Sequence, residues 1–221
     1  MVNYRIRLYQ DADYQTVRDI YAAGVRQHIP RAFRHLLKQP MFQASVVLVL
    51  CVSLVLTGSL WLSLGTVGLL LAGARCLVAH LWSAIIQQNL NDDLLDIRQS
   101  YMERAGACFW VVECQGAVVG TVGARPSRVS PTDLELHRMN VVVEFRGCGI
   151  AKALCQTVLE FARQCGCQGI VLGTSVIQRE AQGLYQRMGY RLVGTVLVPK
   201  LIAKLSNYTI YKYRYQIPAK S

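Results

Sequence analysis

The chain is 221 residues long, which is enough for one domain of ordinary size and an appendage. Hydrophobic residues make up 52% of it, a content that argues against a wholly soluble protein. The formal net charge of +11 favours anionic partners, namely lipid head groups, phosphates or nucleic acid.

The N-terminal segment is predicted to be a strand followed by a helix. Residues 4–9 alternate as in a strand, and Asp11 is positioned to cap a helix that runs to about Gly24. This unit has no core of its own, so it must pack against the part of the chain after residue 87.

A long apolar run follows. From Gln39 to Ala74 the chain has no acidic, basic or histidine residue for 36 positions, whereas one helix needs about 20 apolar residues to cross a membrane. The run therefore exceeds one span, and it approaches two if it extends to Ile86. It lies too far from Met1 to be a signal peptide. Three glycines within it are candidate turn positions: Gly58, Gly65 and Gly68.

A transmembrane or re-entrant hairpin is favoured over a single span. The N-terminal unit and the part after residue 87 share one fold, so both must lie on the same side of a membrane. That side is predicted to be the cytosol because basic residues flank the run, namely Arg26, Arg31, Arg34, Lys38 and Arg75. These residues adjoin the apolar run and therefore suit lipid head groups better than nucleic acid. A buried hairpin of a soluble protein is the alternative.

The sequence thus divides into the N-terminal unit (residues 1–35), the insertion (36–86) and the main part (87–221). Helices are predicted in the main part at 91–103, 150–165 and 178–188. Strands are predicted at 108–114, 117–124, 134–143, 169–175, 191–198 and 208–217. This order predicts an α/β fold in which a mixed sheet carries helices on its faces.

The eight cysteines are best explained as reduced packing residues that face a reducing compartment. Cys51 lies within the apolar run and Cys76 just beyond it, so neither is a promising disulfide partner. Cys165 and Cys167 form a C-x-C motif without a second pair or a histidine cluster at metal-ligand spacing. We therefore expect no metal site.

Two side chains with acid–base chemistry lie on the strand predicted at 134–143. Glu135 and His137 are expected on one face together with Met139, and Arg138 on the opposite face. Either Glu135 or His137 could accept a proton from an incoming ammonium group. The alternative is that they belong to the solvated face of an alternating strand.

A glycine-containing loop, Arg146 to Ala151 (RGCGIA), separates that strand from the next predicted helix. Backbone N–H groups and the positive end of the helix dipole meet there and form an anion site. Gly147 and Gly149 let the backbone approach a ligand, and Arg146 and Lys152 add charge for further phosphates. A Walker loop is absent, and Lys152 stands where a dinucleotide fingerprint needs its third glycine.

This loop resembles the acetyl-CoA pyrophosphate loop, [RQ]-x-x-G-x-[GA], of GCN5-related N-acetyltransferases (GNAT). Ala181, Leu184, Tyr185 and Gly189 resemble that superfamily's A-x-x-L-Y-x-x-x-G-[FY] segment, and Glu135 matches an acidic position on its fourth strand. The N-terminal IRLYQDAD, the apolar insertion and the tyrosine-rich last strand narrow the resemblance to the camello-like N-acetyltransferases. It covers nearly the whole chain.

The resemblance implies a GNAT fold and acetyl-CoA as co-substrate. The backbone of Met139 and Val141 would pair with the pantetheine arm, and an amide of the fourth strand would polarise the thioester carbonyl. The pyrophosphate would be held by the amides of Gly147, Cys148, Gly149, Ile150 and Ala151. Gln178 stands where the superfamily often has an asparagine that hydrogen-bonds to CoA.

The resemblance also implies a mechanism and an acceptor. Tyr185 would protonate the departing CoA thiolate, and the acceptor amine would attack directly, so that no cysteine is required. The implied acceptor is the α-amine of a cysteine S-conjugate, at the cytosolic face of the endoplasmic reticulum or Golgi membrane. Aspartate, whose carboxylates Arg125, Arg128 and Arg138 could bind, and protein lysines of the secretory pathway are alternatives. A non-catalytic membrane protein of adhesion or trafficking is the alternative from another class.

Overall fold

The computed structural model describes residues 3–197 and 207–218. Its strands are β1 (Arg5–Leu8), β2 (Cys108–Cys114), β3 (Ala117–Pro126), β4 (Asp133–Val141), β5 (Gly169–Ser175), β6 (Arg191–Leu197) and β7 (Thr209–Gln216). Its helices are α1 (Tyr14–Arg26), α2 (Ile29–Leu37), α3 (Pro40–Thr57), α4 (Leu60–Leu90), α5 (Ile150–Gln164) and α6 (Arg179–Arg187). The strands form one sheet in the order β1-β2-β3-β4-β5-β7-β6, which confirms the predicted mixed sheet. Of the strand predicted at 191–198, residue 198 lies outside the described residues.

The two faces of the sheet carry different helices. On one face, α5 and α6 pack on a core that includes Trp110, Leu154 and Tyr213. On the other face, α1 and the last turns of α4 cover a second core around Val17 and Phe109. We call these the α5 face and the α1 face.

The N-terminal unit belongs to this sheet, because β1 pairs antiparallel with β2. The expectation that Asp11 caps the first helix was wrong. Asp11 lies in a short 3₁₀ turn and pairs with Arg98 at 2.7 Å. Asp13 instead accepts the backbone N–H of Gln10 at 2.9 Å and pairs with Arg7 at 2.7 Å.

The strands β4 and β5 diverge. They are parallel and pair only from Asp133 with Gly169 to Glu135 with Val171, whereas β5 stays paired with β7 as far as Ser175. Beyond Glu135, β4 has no described strand partner on its β5 side. We call the resulting gap, between residues 136–141 of β4 and 172–175 of β5, the β4–β5 opening.

A β-bulge interrupts β4 at the start of this opening. Gly123 of β3 pairs with His137 and Thr121 pairs with Asn140, so β4 carries one extra residue between these pairs. Arg138 takes the left-handed conformation at φ 52°, which accommodates the extra residue.

The bulge overturns the predicted faces of two residues. Met139 packs into the core of the α5 face, with Leu134 and Leu136, rather than with Glu135 and His137. Arg138 lies on the α1 face, where its guanidinium is 5.0 Å from the ring of Tyr21. Strict alternation fails because one inserted residue shifts all later side chains to the other face.

The helix predicted at 91–103 was also wrong. The helix α4 ends at Leu90, turns follow, and a π-helical turn covers Arg98–Met102. Of the apolar residues that indicated this helix, Leu94, Ile97 and Tyr101 are buried, whereas Leu95 is 58% exposed. The backbone departs from a regular helix where Asp93 turns inward to contact Tyr101 and Arg138.

The apolar insertion folds as two helices joined by a tight turn. The turn uses Gly58, whose φ is 61°, whereas Gly65 and Gly68 lie inside α4. Both helices are long and apolar enough to cross a membrane, with best mean hydropathies of 2.1 for α3 and 1.8 for α4, and no residue of α3 is buried. The far end of α4 is different, because Ile86 and Leu90 are buried in the core of the α1 face.

Candidate active site

The glycine loop forms an open cradle at the start of α5. Gly147 and Gly149 have φ values of 77° and 82°, and a Cβ at either position would meet no protein atom within 4 Å. The first N–H of α5 that reaches a backbone carbonyl is that of Ala153, which donates to Gly149 at 3.0 Å. The earlier N–H groups therefore remain available to an anion, as the pyrophosphate prediction requires.

The residues that form this cradle differ in how exposed they are. Ile150 is buried and fixes the start of α5, whereas Cys148 and Lys152 are exposed and Ala151 is half-buried. Arg146 donates through Nε to the carbonyl of Val141 at 2.9 Å, so it also ties the loop to the end of β4.

The backbone of Val141 faces the β4–β5 opening. The neighbouring Val142 N–H donates to Val119 of β3 at 2.9 Å, and successive strand residues direct their polar groups to alternate sides. The carbonyl of Val141 is already used by Arg146, so its N–H is the group left for a ligand. Met139 also borders the opening, and its sulfur accepts the Cys155 thiol at 3.7 Å.

Tyr185 lies in the core of the α5 face, close to this opening. Its ring packs on Tyr190 at 5.6 Å and on Tyr213 at 6.2 Å between centroids, and only 6% of the residue is exposed. Burial, and then the neighbouring Cys155, raise the pKa of Tyr185 well above its usual value. The phenol is therefore protonated at neutral pH, as a proton donor must be.

Gln178 precedes α6, and both its amide oxygen and its amide nitrogen contact protein atoms. Its Oε1 accepts the backbone N–H of Ser175 at 3.0 Å and the hydroxyls of Ser175 at 3.0 Å and Thr174 at 3.1 Å. Its Nε2 lies 3.3 Å from Nε2 of His28, at the junction of α1 and α2.

The structure brings Glu135 and His137 together on the α1 face, where each side chain is 19% exposed. Nε2 of His137 lies 3.2 Å from Glu135 and also 3.1 Å from Nε of Arg125. Nε2 can either donate to Glu135 or accept from Arg125, but it cannot do both at once. The pKa of Glu135 is lowered, first by His137 and further by the charges of Lys212 and Arg125, so this carboxylate stays ionised.

A buried ion pair beside these residues was not anticipated from the sequence. Asp93, 3% exposed, accepts Nε of Arg138 at 3.0 Å and also contacts Tyr101. Burial by itself would raise the pKa of Asp93, but Arg138 outweighs it and keeps the pKa below its usual value. Of the arginines considered for acceptor carboxylates, Arg138 is therefore already neutralised, while Arg128 is exposed in the β3–β4 loop.

A cavity of about 370 Å³ opens on the α1 face beside the end of β4. Its walls come from α1, including Gly24, from Gln27 directly after this helix, and from Val141–Glu144 and Arg146. The helix approaches closely because Gly24 lacks a side chain, since a Cβ there would clash with Oδ1 of Asn140. No group of three or more His, Cys, Asp or Glu side chains that could hold a metal occurs among the residues that the structure describes.

The sheet with its diverging strands, the glycine cradle and the adjacent tyrosine define an acetyl-CoA-dependent N-acetyltransferase of the GNAT type, and comparison with known proteins agrees. Residues 77–190 match the model of the acetyltransferase (GNAT) family. An acetyltransferase-like protein of Salmonella typhimurium, solved with acetyl-CoA, shares the fold at a TM-score of 0.58 and 16% identity, over 99% of this chain and 96% of that chain.

The chain belongs to the GNAT family, and within it to the camello-like N-acetyltransferases. It is 38% identical to the "Probable N-acetyltransferase camello" of Xenopus tropicalis over 98% of this chain and 99% of that protein. It is 36% identical to "N-acetyltransferase 8" of Mus musculus over 99% of this chain and 97% of that protein. The sequence-based predictions of the fold, the enzyme class and acetyl-CoA as co-substrate are confirmed.

Proposed function

We propose that this enzyme is membrane-bound and transfers acetyl from acetyl-CoA to the α-amine of cysteine S-conjugates at the cytosolic face of the endoplasmic reticulum or Golgi membrane. The observation that carries the proposal is the course of α4. This single helix begins in the apolar hairpin and ends in the core beneath the face that holds Glu135 and His137. An acceptor with an apolar S-substituent that partitions into a bilayer would thereby reach the catalytic face.

The dimensions and charges of the insertion support membrane attachment. The 18 residues of α3 give a helix of about 27 Å, close to the ~30 Å of a hydrocarbon core. Arg75 of α4 lies over the ring of Phe33 in α2 at 5.8 Å, which suits a level at the membrane surface. Arg34 of α2 and Lys38 directly after this helix are exposed and would meet lipid head groups.

Different residues of the chain would bind the cofactor, orient it and accept the proton. The cradle would bind the phosphates, and the N–H of Val141 would orient the pantetheine arm, while acetyl-CoA supplies the thioester. Glu135, ionised and on the α1 face, would take the proton of the acceptor ammonium group. His137 is a less direct base, because its Nε2 already contacts both Glu135 and Arg125.

Tyr185 would donate the proton that the departing thiolate takes up. In water a thiol is a stronger acid than a phenol, so this transfer would run uphill. Burial near Tyr185 makes a thiol a weaker acid, because it raises the pKa of the neighbouring Cys155 to about 12. Burial raises the pKa of Tyr185 as well, so it makes a CoA thiolate in similar surroundings a stronger base without reversing the order of the two acids.

The charges around the site favour an S-conjugate over aspartate. Aspartate carries two carboxylates, and Arg138, one of the cations considered for them, is committed to Asp93. A cysteine S-conjugate carries one carboxylate and an apolar group, and therefore needs fewer cationic partners than aspartate does.

The acceptor is tested with membranes that contain the full-length protein and labelled acetyl-CoA. We expect S-benzyl-cysteine to be acetylated at least tenfold faster than aspartate or a lysine peptide, and S-methyl-cysteine to fall between them. Faster transfer to aspartate or to the peptide would overturn the proposed acceptor. Gly149→Glu, which places a carboxylate in the phosphate cradle, should abolish transfer, and a cellular effect that survived it would favour the non-catalytic alternative.

A sequon in the chain allows a test of whether the catalytic domain faces the cytosol or the lumen. Asn207-Tyr208-Thr209 is an N-glycosylation sequon, and Asn207 is exposed. A cytosolic domain leaves it unmodified, so endoglycosidase treatment should not shift the protein's mobility, and Asn207→Gln should migrate like the wild type. A glycosidase-sensitive shift that Asn207→Gln removes would place the domain in the lumen.

A further inference from the structure

The orientation of the Gln178 amide is fixed by the backbone. A backbone N–H can only donate, so the amide atom that faces the N–H of Ser175 must be the oxygen. The amide nitrogen, with two hydrogens, must then face Nε2 of His28 at 3.3 Å. Nε2 of His28 therefore acts as the acceptor in this contact.

This contact fixes the tautomer of His28. A neutral imidazole that accepts at Nε2 carries its proton on Nδ1. Burial lowers the pKa of His28, the positive charges of Arg31 and Arg146 lower it further, and Glu180 opposes them, so the ring is neutral near pH 7.

The proton on Nδ1 has no partner. Nδ1 of His28 is buried, and it is the one buried side-chain nitrogen or oxygen without a hydrogen bond among the residues in the described ranges. A buried donor that makes no hydrogen bond is destabilising, and a ligand oxygen would remove that cost.

The location of His28 restricts the ligand class. On the β5 side of the β4–β5 opening, His28 contacts Gln178. On the β4 side, the charge of Arg146, whose Nε donates to the carbonyl of Val141, lowers the pKa of His28. A ligand that runs between Val141 and Ser175 would therefore lie near His28. The oxygen of Gln178 already meets three donors, so it has no room for a ligand donor, and one of its two amide hydrogens is directed at His28.

We propose that the Nδ1–H of His28 donates a hydrogen bond to an amide carbonyl oxygen of the pantetheine arm of acetyl-CoA, and that Gln178 is the positioning residue that fixes the tautomer. The inference rests on the proposed course of the pantetheine arm along β4. His28 thereby supplies, from the α1–α2 junction, the contact that the resemblance assigned to position 178.

Two substitutions separate the two nitrogens of His28. Glutamine reaches the position of Nε2 and keeps an acceptor for Gln178 but loses the Nδ1 donor, whereas asparagine keeps a donor near Nδ1. The probes are CoA and adenosine 3′-phosphate 5′-diphosphate, its nucleotide part, each titrated against the purified full-length protein. His28→Gln should lower the affinity for CoA about 3- to 10-fold, as expected for the loss of one neutral hydrogen bond. The affinity for the nucleotide part should stay within about twofold of the wild-type value. His28→Asn should lose less affinity for CoA than His28→Gln does.

The proposal is overturned if His28→Gln binds CoA as the wild type does, or if it weakens both probes equally, which would indicate a structural role alone. A measurement on the wild type covers the case in which the variants do not fold. Nitrogen-15 spectra should show His28 protonated on Nδ1, with that resonance moving on addition of CoA but not of the nucleotide part. An Nε2-protonated ring, or a resonance that CoA leaves unmoved, would refute it. A wild type that binds CoA yet acetylates no cysteine S-conjugate would contradict the proposed function instead.

Discussion

Replacing Tyr185 with phenylalanine removes the proposed proton donor while keeping the ring. No described residue accepts a hydrogen bond from its hydroxyl, so we expect the free energy of unfolding to change by less than about 1 kcal/mol. The effect on catalysis can be scaled from Cys155, where burial raises the thiol pKa from 9.0 to about 12. At about 1.4 kcal/mol per tenfold change, an unprotonated thiolate in such surroundings is disfavoured by about 4 kcal/mol.

We therefore expect Tyr185→Phe to lower kcat by about 10³-fold, within the range of general acid catalysis, with the affinity for acetyl-CoA nearly unchanged. The assay follows thiol release under saturating acetyl-CoA and S-benzyl-cysteine. Tyr190→Phe is the matched control, because Tyr190 is equally buried and 5.6 Å from Tyr185 between ring centroids. A kcat within about threefold of wild type for Tyr185→Phe, or an equal loss in both variants, would refute the assignment.

Three further substitutions test the frame of the site. Gly149→Ala should cost about 1 kcal/mol through its left-handed backbone and raise the KM for acetyl-CoA at least tenfold, whereas Gly166→Ala, with a φ of 70° at the other end of α5, should have the same stability cost with an unchanged KM. Asp93→Asn leaves a buried arginine without its carboxylate and should lower the free energy of unfolding by about 3–5 kcal/mol; a loss below about 1 kcal/mol in denaturant titrations would contradict the buried pair. Arg214 lowers the folded-state pKa of Asp133, so their contact stabilises the protein above the unfolded pKa of about 3.9 and is lost as the pH falls below it. Asp133→Asn should therefore be less stable than the wild type by about 1–3 kcal/mol at pH 7 and by much less at pH 3, and a difference that does not depend on pH would be inconsistent with this pair.

The features that the sequence predicted correctly are those encoded by neighbouring residues. The glycine loop needs only two glycines at the start of a helix, and its open geometry with free N–H groups is one that every helix start can offer. The strands 108–114 and 169–175 were placed to the residue, because β-branched and aromatic runs bounded by turns report local conformation directly.

The bulge in β4 could not be foreseen in this way. Its left-handed residue is Arg138 rather than a glycine, so the sequence gives no local signal of it. It is accompanied by Asp93, which lies 45 positions earlier and binds the guanidinium. This partnership also explains why the segment after Leu90 departs from the helix that its apolar spacing indicated.

The same limit applies to the residues that complete the site. Gln178 and His28 meet across 150 positions, and Arg125 contacts His137 because β3 and β4 are neighbours. By itself, the sequence determined the strands of the sheet, the glycine loop at the start of α5 and the family, because backbone conformation responds to adjacent side chains. Only the tertiary structure decided which donors are left free and which charges are neutralised, because hydrogen bonds and ion pairs depend on distances that folding sets between residues far apart in the chain.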